Sequence, residues 1–472
     1  MPVSEPRGAR ATSADARATS ARDHRVALAI LVGGWVLALA YGYPGIMTVD
    51  SFDQLREARA GSYTDAHPPA MAALWRLVEV VSRGPAGMFI IQVTALLGGL
   101  YLILRHTFAP RRAAVISVAL GLFPPILAPM AVVWKDALMA GLLALGVAGL
   151  LADRRWVRVA GLVALIAASA IRHNAPAATL PLIVILFELA PTLPTWRGRI
   201  TRYAISTAAW LAVTGASLGI NGALTDKPMH FWASSLALSD IVGTLAYVDG
   251  TLPDADLAPL LAPTELRVDH DLHTTLRARH SPYDFAPLVL GDDRLWTMPI
   301  NGDVPAPAAK RAAIAHAWRA IVFGHPLAWV KQRLATFAYV LALPRDRPGV
   351  LVMTAHHQNK HLAAPLGVRI HDWRGQYRWQ RRMQKIALYT PLFRPWLYAA
   401  AALVLLLACR RHRDVFALLL GGLGAEASLA LFAITPDYRY SHWLVLSTCL
   451  GIVLLVARRY REGRAAVPAA SP

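Results

Sequence analysis

A polar stretch at residues 44–69 carries three aspartates and a histidine between two apolar segments. Asp50 and Asp53 are three residues apart, so on a helical turn their carboxylates would point the same way. A general base or a pair of oxygen ligands for a divalent cation requires that arrangement. Asp65 and His67 follow within the same stretch. Acidic groups beside hydrocarbon cost free energy unless they face water, a partner or a ligand, which makes the stretch a candidate site. The alternative interpretation is that Asp50 caps a helix and that the others are solvated loop residues.

Lys135 and Asp136 form a second charged turn, directly after Trp134 and before an apolar run. Asp136 would add a carboxylate to the site, and Lys135 a contact to a phosphate. An interfacial tryptophan anchor followed by an ion pair and a helix cap accounts for the same residues equally well.

Two further turns carry arginine: Arg172, His173 and Asn174 follow one apolar run, and Tyr438 with Arg439 joins two others. An arginine offers a planar fork that fits a phosphate or pyrophosphate. The alternative is an arginine that extends from a helix end toward the membrane surface. Several carboxylates and two arginines on one side of a membrane favour an anionic, lipid-linked phosphate as substrate.

The elements that must position these turns are membrane-spanning helices. The chain of 472 residues is 56% hydrophobic and only 16% charged, which predicts an all-α, polytopic integral membrane protein. Its formal charge of +19 comes largely from arginines in short runs between apolar segments, a pattern typical of cytoplasmic loops rather than of nucleic-acid binding. The two cysteines, Cys409 and Cys449, provide neither a disulfide framework nor a zinc site.

About ten transmembrane helices are expected. Their approximate ranges are 26–43, 87–104, 113–129, 137–151, 157–171, 177–189, 203–221, 391–408, 415–434 and 443–456. The arginine runs then fall on alternate loops, so both termini are expected in the cytoplasm and every candidate turn on the exoplasmic side. A cleavable signal peptide ending near Ala38-Leu39-Ala40 is the competing interpretation of the first segment.

The predicted domain organisation has five parts. These are a disordered basic tail at 1–25, an N-terminal transmembrane module at 26–221, an exoplasmic insertion at 222–390, C-terminal transmembrane helices at 391–457, and a second tail at 458–472. A helix at 71–81 is expected to lie along the membrane surface or to re-enter the membrane, and the insertion is expected to carry membrane-surface helices at 312–323 and 327–343. In the last of these, Lys331 and Arg333 should face away from Leu334, Phe337 and Val340.

This arrangement resembles the GT-C superfamily of polytopic glycosyltransferases. The likeness covers nearly the whole chain and lies in the acidic first exoplasmic loop (Asp50, Asp53), the acidic next turn (Asp136), the basic third turn (Arg172) and the late Tyr438-Arg439-Tyr440 turn. The sequence departs from the adjacent Asp-Glu pair of many members, because Ser51 and Phe52 separate its two aspartates.

The resemblance implies an inverting enzyme of the inner or plasma membrane. It would transfer a sugar from a polyprenyl-phosphate donor to an envelope glycan or lipid, with Asp50 or Asp53 as base and Arg172 and Arg439 as phosphate contacts. The sequence leaves open whether Asp50, Asp53 and Asp136 hold a divalent cation, Mg or Mn. Two other function classes also stay open: a transporter or flippase for a lipid-linked or anionic solute, and a non-catalytic scaffold that displays the insertion.

Overall fold

The computed structural model describes residues 7–189, 195–297, 306–344, 351–354, 358–370 and 373–465. Within these ranges the protein is helical and forms no strand, and two isolated β-bridges occur. The α-helices, numbered in chain order, are α1 (Arg7–Gly42), α2 (Val49–Ala60), α3 (Pro69–Glu79), α4 (Ala86–Arg105), α5 (Pro110–Gly121), α6 (Pro124–Met130), α7 (Lys135–Leu150), α8 (Arg155–Ile171), α9 (Ala175–Leu186), α10 (Trp196–Leu224), α11 (Ala237–Ala246), α12 (Asp254–Leu261), α13 (Leu272–Arg279), α14 (Ala286–Val289), α15 (Ala308–Gly324), α16 (Pro326–Val340), α17 (Lys360–Ala363), α18 (Arg374–Tyr389), α19 (Pro395–Ala408), α20 (Arg413–Phe432) and α21 (His442–Ala465).

Among the described residues, five helices are long and apolar enough to cross a membrane. They are Ala21–Gly42 within α1, then α4, α10 and α20, and finally Tyr438–Glu462, which includes most of α21. Two shorter apolar helices, α9 and α19, accompany them. The prediction of an all-α fold is therefore confirmed for the described residues, and the apolar helices are compatible with a membrane protein. Each apolar segment of the sequence contains a helix. Of the described helices, however, five rather than ten are long and apolar enough to cross a membrane.

One expectation about a continuous element was wrong. Residues 113–129 do not form a straight helix, because α5 and α6 meet at a 71° bend. Pro124 and Pro125 begin α6, and prolines cannot continue the hydrogen bonds of a preceding helix. At the N-terminus, α1 begins at Arg7, so it extends into the range expected to be a tail, where alanine and arginine are strong helix formers.

The helices α7 and α8 run antiparallel in close contact and nearly match in length, at 16 and 17 residues. A Cβ atom added at Gly149 would lie only 2.5 Å from Gly161 Cα, so glycine at both positions lets the two backbones approach. Because a short turn joins them, the start of α7 and the end of α8 lie at the same end of the bundle. This places Lys135 and Asp136 beside Arg172.

The insertion divides between two cores. Residues from Ala237 to Ile321 form a hydrophobic cluster of their own, whereas Val352, Ala363, Met383 and Ala387 belong to the cluster of the membrane helices. The amphipathic helix α18, which sequence analysis missed, connects the second part of the insertion to the membrane helices. Its Gln376 and Gln380 side chains donate to the backbone oxygens of Tyr43 and Tyr41, at 2.9 and 3.0 Å.

The predicted faces of α16 were wrong at Arg333 and Leu334, whereas Lys331 is exposed and Val340 is buried as expected. Arg333 is buried and pairs with the buried Asp240 of α11 at 2.6 Å, while Leu334 is exposed. Asp240 also accepts hydrogen bonds from Trp318, Trp329 and Gln332. An acid buried in a neighbouring helix requires a compensating cation, and that need overrides the apolar periodicity of α16.

Candidate functional site

Backbone pairing holds the first polar stretch against the turn before α7. The Ile46 amide donates to the Ala131 oxygen at 3.0 Å, and the Val133 amide donates to the Ile46 oxygen at 2.9 Å. Next to this pairing, Trp134 Nε1 donates to Thr48 Oγ1 at 2.8 Å. These bonds bring the start of α2, which carries Asp50, to the start of α7, which carries Lys135.

The N-terminus of α2 differs from the predicted cap. The cap residue is Thr48 rather than Asp50 or Ser51, and the Thr48 amide donates to Ser51 Oγ at 3.1 Å. Ser51 Oγ in turn donates to the Val133 oxygen at 2.8 Å. Because Thr48 and Ser51 satisfy the helix end, Asp50 is left to interact with the basic groups around it.

Asp136 and Arg172 form an ion pair across the ends of α7 and α8, with 3.2 Å between Arg172 Nε and Asp136 Oδ1. Arg172 Nε also donates to Asn174 Oδ1 at 3.1 Å, and Asn174 Nδ2 donates to Ser428 Oγ of α20 at 3.2 Å. This chain of contacts connects the second and third candidate turns to the C-terminal helices.

Arg439 is the most highly connected basic residue of the site. It lies on the 3₁₀ turn Tyr438–Ser441 between α20 and α21. Its guanidinium lies 2.8 Å from Asp50 Oδ2, 2.8 Å from Asp437 Oδ2 and 3.8 Å from Asp136 Oδ2. It also lies over the Trp134 ring, 4.7 Å from the centroid, in a cation–π contact. A single turn late in the chain thus joins three carboxylates.

His67 extends the cluster on the other side of Asp50. Lys135 Nζ lies 2.7 Å from His67 Nδ1 and 3.5 Å from Asp50 Oδ2. Burial, followed by the charge of Lys135, lowers the pKa of His67 to about 3, so the ring is neutral at physiological pH. A neutral His67 that accepts from the lysine at Nδ1 carries its proton on Nε2, which lies 3.9 Å from Asp50 Oδ1.

The pKa values of two carboxyl groups in the cluster are shifted in opposite directions. Burial alone would raise the pKa of Asp50, but Arg439 and then Lys135 outweigh it and hold that pKa well below its usual range. Burial raises the pKa of Asp437 despite the opposing charge of Arg439. Burial also lowers the pKa of Lys135 to about 8. Asp50 is therefore ionised at neutral pH, and Lys135 is the basic group whose charge is nearest to titration.

A cavity of about 310 Å³, the charged cavity, opens onto this cluster. Its polar wall comprises Asp50, His67, Lys135, Arg172, His173, Asn174, Arg439 and Tyr440. Beside it lies a cavity of about 540 Å³, the apolar cavity, most of whose wall surface is apolar. Trp232 and Leu236 contribute to this surface, and Asp65, His230 and Arg311 also line the cavity. The two cavities share four lining residues: His173, Asn174, Phe231 and Phe432. A ligand with a charged head and an apolar tail fits this pair.

The structure separates the predicted site residues into two groups. Asp53 does not line the charged cavity, because its carboxylate pairs with Arg56 at 2.7 Å one turn further along α2. Asp65 accepts hydrogen bonds from the backbone amides of Met229 and His230, so it holds the start of the insertion, and it lines the apolar cavity rather than the charged one. Tyr438 is buried and donates to the Pro125 oxygen at 3.1 Å, which fixes the turn.

Sequence reasoning missed several residues at the site. Asp437 adds a third carboxylate, and it stands in the same short polar turn as Arg439, so that turn was a usable signal. Phe231 and Phe432, which form the boundary between the two cavities, lack such a signal. Aromatic residues are common at helix ends, so the sequence does not single out Phe231 and Phe432. They line the cavities only because the insertion packs against α20.

The charged cavity does not fit a divalent cation. Asp50 and Asp136 are already matched by Arg439, Lys135 and Arg172, whose positive charges would repel a metal ion, and Asp53 lies outside the cavity. Among the residues that the structure describes, no group of three histidine, cysteine, aspartate or glutamate side chains is placed to hold a metal. The donor set is suited to an anion held beside a carboxylate.

Comparisons of this chain with protein-family models, with curated proteins and with solved structures find no match.

Proposed function

We propose that the protein is a membrane glycosyltransferase of GT-C type, which transfers a sugar from a polyprenyl-phosphate donor to a cell-envelope glycan or lipid. The observation that carries the proposal is the pairing of the charged cavity with the apolar cavity. One provides three basic groups and a carboxylate, and the other provides an apolar surface for a lipid tail. A soluble sugar nucleotide would need no apolar cavity beside its phosphate site.

In the proposed reaction Asp50 accepts the proton of an acceptor hydroxyl. The oxygen attacks the anomeric carbon of the donor as the bond from that carbon to the phosphate oxygen breaks, and the electron pair leaves with polyprenyl phosphate. Arg172, Arg439 and protonated Lys135 stabilise the charge of the leaving phosphate. The displacement inverts the configuration at the anomeric carbon.

The surroundings of the two carboxylates support Asp50 over Asp53 as the base. Asp50 lines the charged cavity, and His67 Nε2 and Lys135 lie within 4 Å of its carboxylate. Asp53 is occupied by Arg56. The ion pair with Arg439 lowers the basicity of Asp50 in the empty site, so a donor phosphate that attracts Arg439 would raise that basicity as the reactants assemble.

The proposed topology has ten spans, both termini in the cytoplasm and the charged cavity at the exoplasmic face of an inner or plasma membrane. The start of α7, the end of α8, the start of α9 and the end of α20 meet at the charged cavity, which supports a single face for all candidate turns. The arginines 154, 155 and 158 near the other end of α7 and α8 support a cytoplasmic position for that end.

The matched variants Asp50→Asn and Asp53→Asn test the proposal, since both remove one carboxylate from α2. Membranes that carry each variant at equal abundance are compared for surface glycans and for polyprenyl-phosphate sugars. Asp50→Asn should lose about 10²- to 10⁴-fold in transfer rate, the usual contribution of a general base, with accumulation of the lipid-linked donor. Asp53→Asn should retain most of the activity.

Equal glycan profiles in the wild type and Asp50→Asn would refute this assignment of the base. If both the donor and the glycans stay unchanged in Asp50→Asn and in Arg439→Gln, the transferase proposal fails. Movement of an anionic lipid across vesicles that contain the purified protein would then favour the transport class.

A further inference from the structure

A third cavity, of about 760 Å³, lies apart from the charged and apolar cavities and shares no lining residue with either. It is formed where α1, α2 and α3 end and α4 begins, and we call it the arginine cleft. Arginines 59, 76, 83 and 369 line it, together with a single acid, Glu79.

The acid that lines the arginine cleft, Glu79, already has hydrogen-bonding and ion-pair partners. Glu79 Oε2 lies 2.6 Å from Arg59 Nε, and Glu79 Oε1 accepts from Arg59 at 2.7 Å and from the Gly84 amide at 2.6 Å. Among the described residues, Arg76 and Arg83 form no ion pair with a carboxylate. The cleft therefore has positive charge available for an anion.

The Arg76 guanidinium lies over the end of α2. Gly61 ends α2 with a positive φ of 67°, and a Cβ atom at this position would overlap the guanidinium. Arg76 is itself an exposed residue that lines the cleft, so its charge is accessible to a ligand there.

The lip of the arginine cleft is apolar and exposed. Leu77, Val80 and Val81, at the end of α3, are 69%, 84% and 91% exposed, while Met71, Ala72 and Trp75 on the same helix are buried. Three neighbouring aliphatic side chains in water would be unfavourable, but at the edge of a bilayer they contact acyl chains. The arginines next to them then lie at the level of the lipid headgroups.

The basic face of α18 extends this surface. The helix contacts the end of α1, where Tyr43 lines the cleft and stacks on Trp373 at 6.3 Å. Arginines 374, 378, 381 and 382 and Lys385 are exposed along α18. Exposed Trp373 and Tyr389 flank these basic residues, which is typical of a helix at a membrane surface.

We infer that the arginine cleft is a binding site for an anionic phospholipid, with the headgroup phosphate between Arg76 and Arg83 and the acyl chains along Leu77, Val80 and Val81. This site is independent of the proposed transferase reaction. Arg59 stabilises the cleft through Glu79 rather than contacting the lipid.

The test uses the full-length protein in nanodiscs of phosphatidylcholine, to which fluorescent phosphatidylglycerol is added. The double variant Arg76→Gln/Arg83→Gln should bind phosphatidylglycerol about 30-fold more weakly, which is about 2 kcal/mol for two basic groups near an anionic lipid. The matched control, Arg277→Gln/Arg319→Gln, removes two exposed arginines of the insertion and should bind as the wild type does. Arg83→Gln alone, in the exposed turn between α3 and α4, should show a smaller loss if the double variant is unstable.

Unchanged phosphatidylglycerol binding in both Arg83→Gln and the double variant would overturn the inference, and so would an equal loss in the control. Competition by inorganic phosphate at millimolar concentration, without a preference for the lipid, would assign the cleft to a soluble anion and also overturn it. Retention of phosphatidylglycerol by wild-type protein through purification, and its loss from the double variant, would support the inference.

Discussion

Replacement of Arg439 by glutamine is the most informative perturbation of the charged cavity. In the wild type one guanidinium pairs with Asp50 and Asp437, both at 2.8 Å, and lies 3.8 Å from Asp136. The substitution leaves these carboxylates with only Lys135 and Arg172 as cations. Their combined negative charge, in a largely buried site, should destabilise the fold.

The magnitude follows from the burial of the partners. Removal of one partner of a buried ion pair costs about 3–5 kcal/mol. The side chains of Arg439 and Asp50 are 10% and 25% exposed, so partial solvation favours the lower end of that range. The Asp53–Arg56 pair on α2 is the natural control. Its arginine side chain is 48% exposed, and Arg56→Gln should cost under about 0.5 kcal/mol.

The dependence on pH gives a second signature. In the wild type the pKa of Asp50 is depressed, so its stabilising contribution is present above the unfolded value near 4 and is lost as pH falls below it. Without Arg439 the pKa of Asp50 in the folded protein rises relative to the wild type. Protonation then begins at a higher pH in the variant, so its deficit in unfolding free energy should be largest at neutral pH and shrink as pH falls.

Thermal unfolding of the purified protein at pH 5 and pH 7.5 measures both effects. A double-mutant cycle with Asp50→Asn isolates the pair, and the double variant should be more stable than the sum of the single losses predicts, by about 2 kcal/mol. Additive losses in the cycle, or an Arg439→Gln deficit that grows on acidification, would refute this account of the cluster. A cost for Arg56→Gln as large as that for Arg439→Gln would refute it as well.

Three further predictions concern neighbouring residues. Activity should fall as pH rises through about 8, because Lys135 loses its proton there. Lys135→Arg should remove this decline in activity. If the decline persists in the variant, another group causes it. Arg333→Met should cost about 3–5 kcal/mol in thermal unfolding because Asp240 stays buried, and adding Asp240→Asn should recover part of the loss; no recovery would contradict the pairing. Trp134→Phe removes the hydrogen bond to Thr48 and should cost about 1 kcal/mol, whereas an unchanged unfolding midpoint would show that this bond does not stabilise the paired loops.

The helical character of the chain and the general location of its site could be predicted from the sequence. Long apolar runs must satisfy their backbone groups internally, so they form helices wherever they meet lipid. Charged residues beside such runs need a partner or water, which is why the turns at Asp50, Lys135, Arg172 and Arg439 stood out. All four line the charged cavity.

The sequence could not predict which side chains pair. Asp50 and Asp53 look equivalent on one helix, yet only Asp50 meets Arg439, which is 389 positions away in the chain. In the same way, α16 has a helical pattern that favours an exposed Arg333, and the structure buries this residue against Asp240. Helical periodicity relates a residue to its own helix and does not identify the neighbouring helix that packs against it.

The sequence by itself therefore determined that this protein is helical, with charged turns beside apolar helices of the kind that contact lipid, because a hydrocarbon environment constrains each segment separately. Tertiary structure alone decided that four of these turns meet at one cavity, that an apolar cavity adjoins it, and that Asp50 rather than Asp53 lines the charged cavity. The physical reason is that ion pairs and cavities form between elements distant in the chain. Their geometry depends on how whole helices pack, which no local pattern of residues specifies.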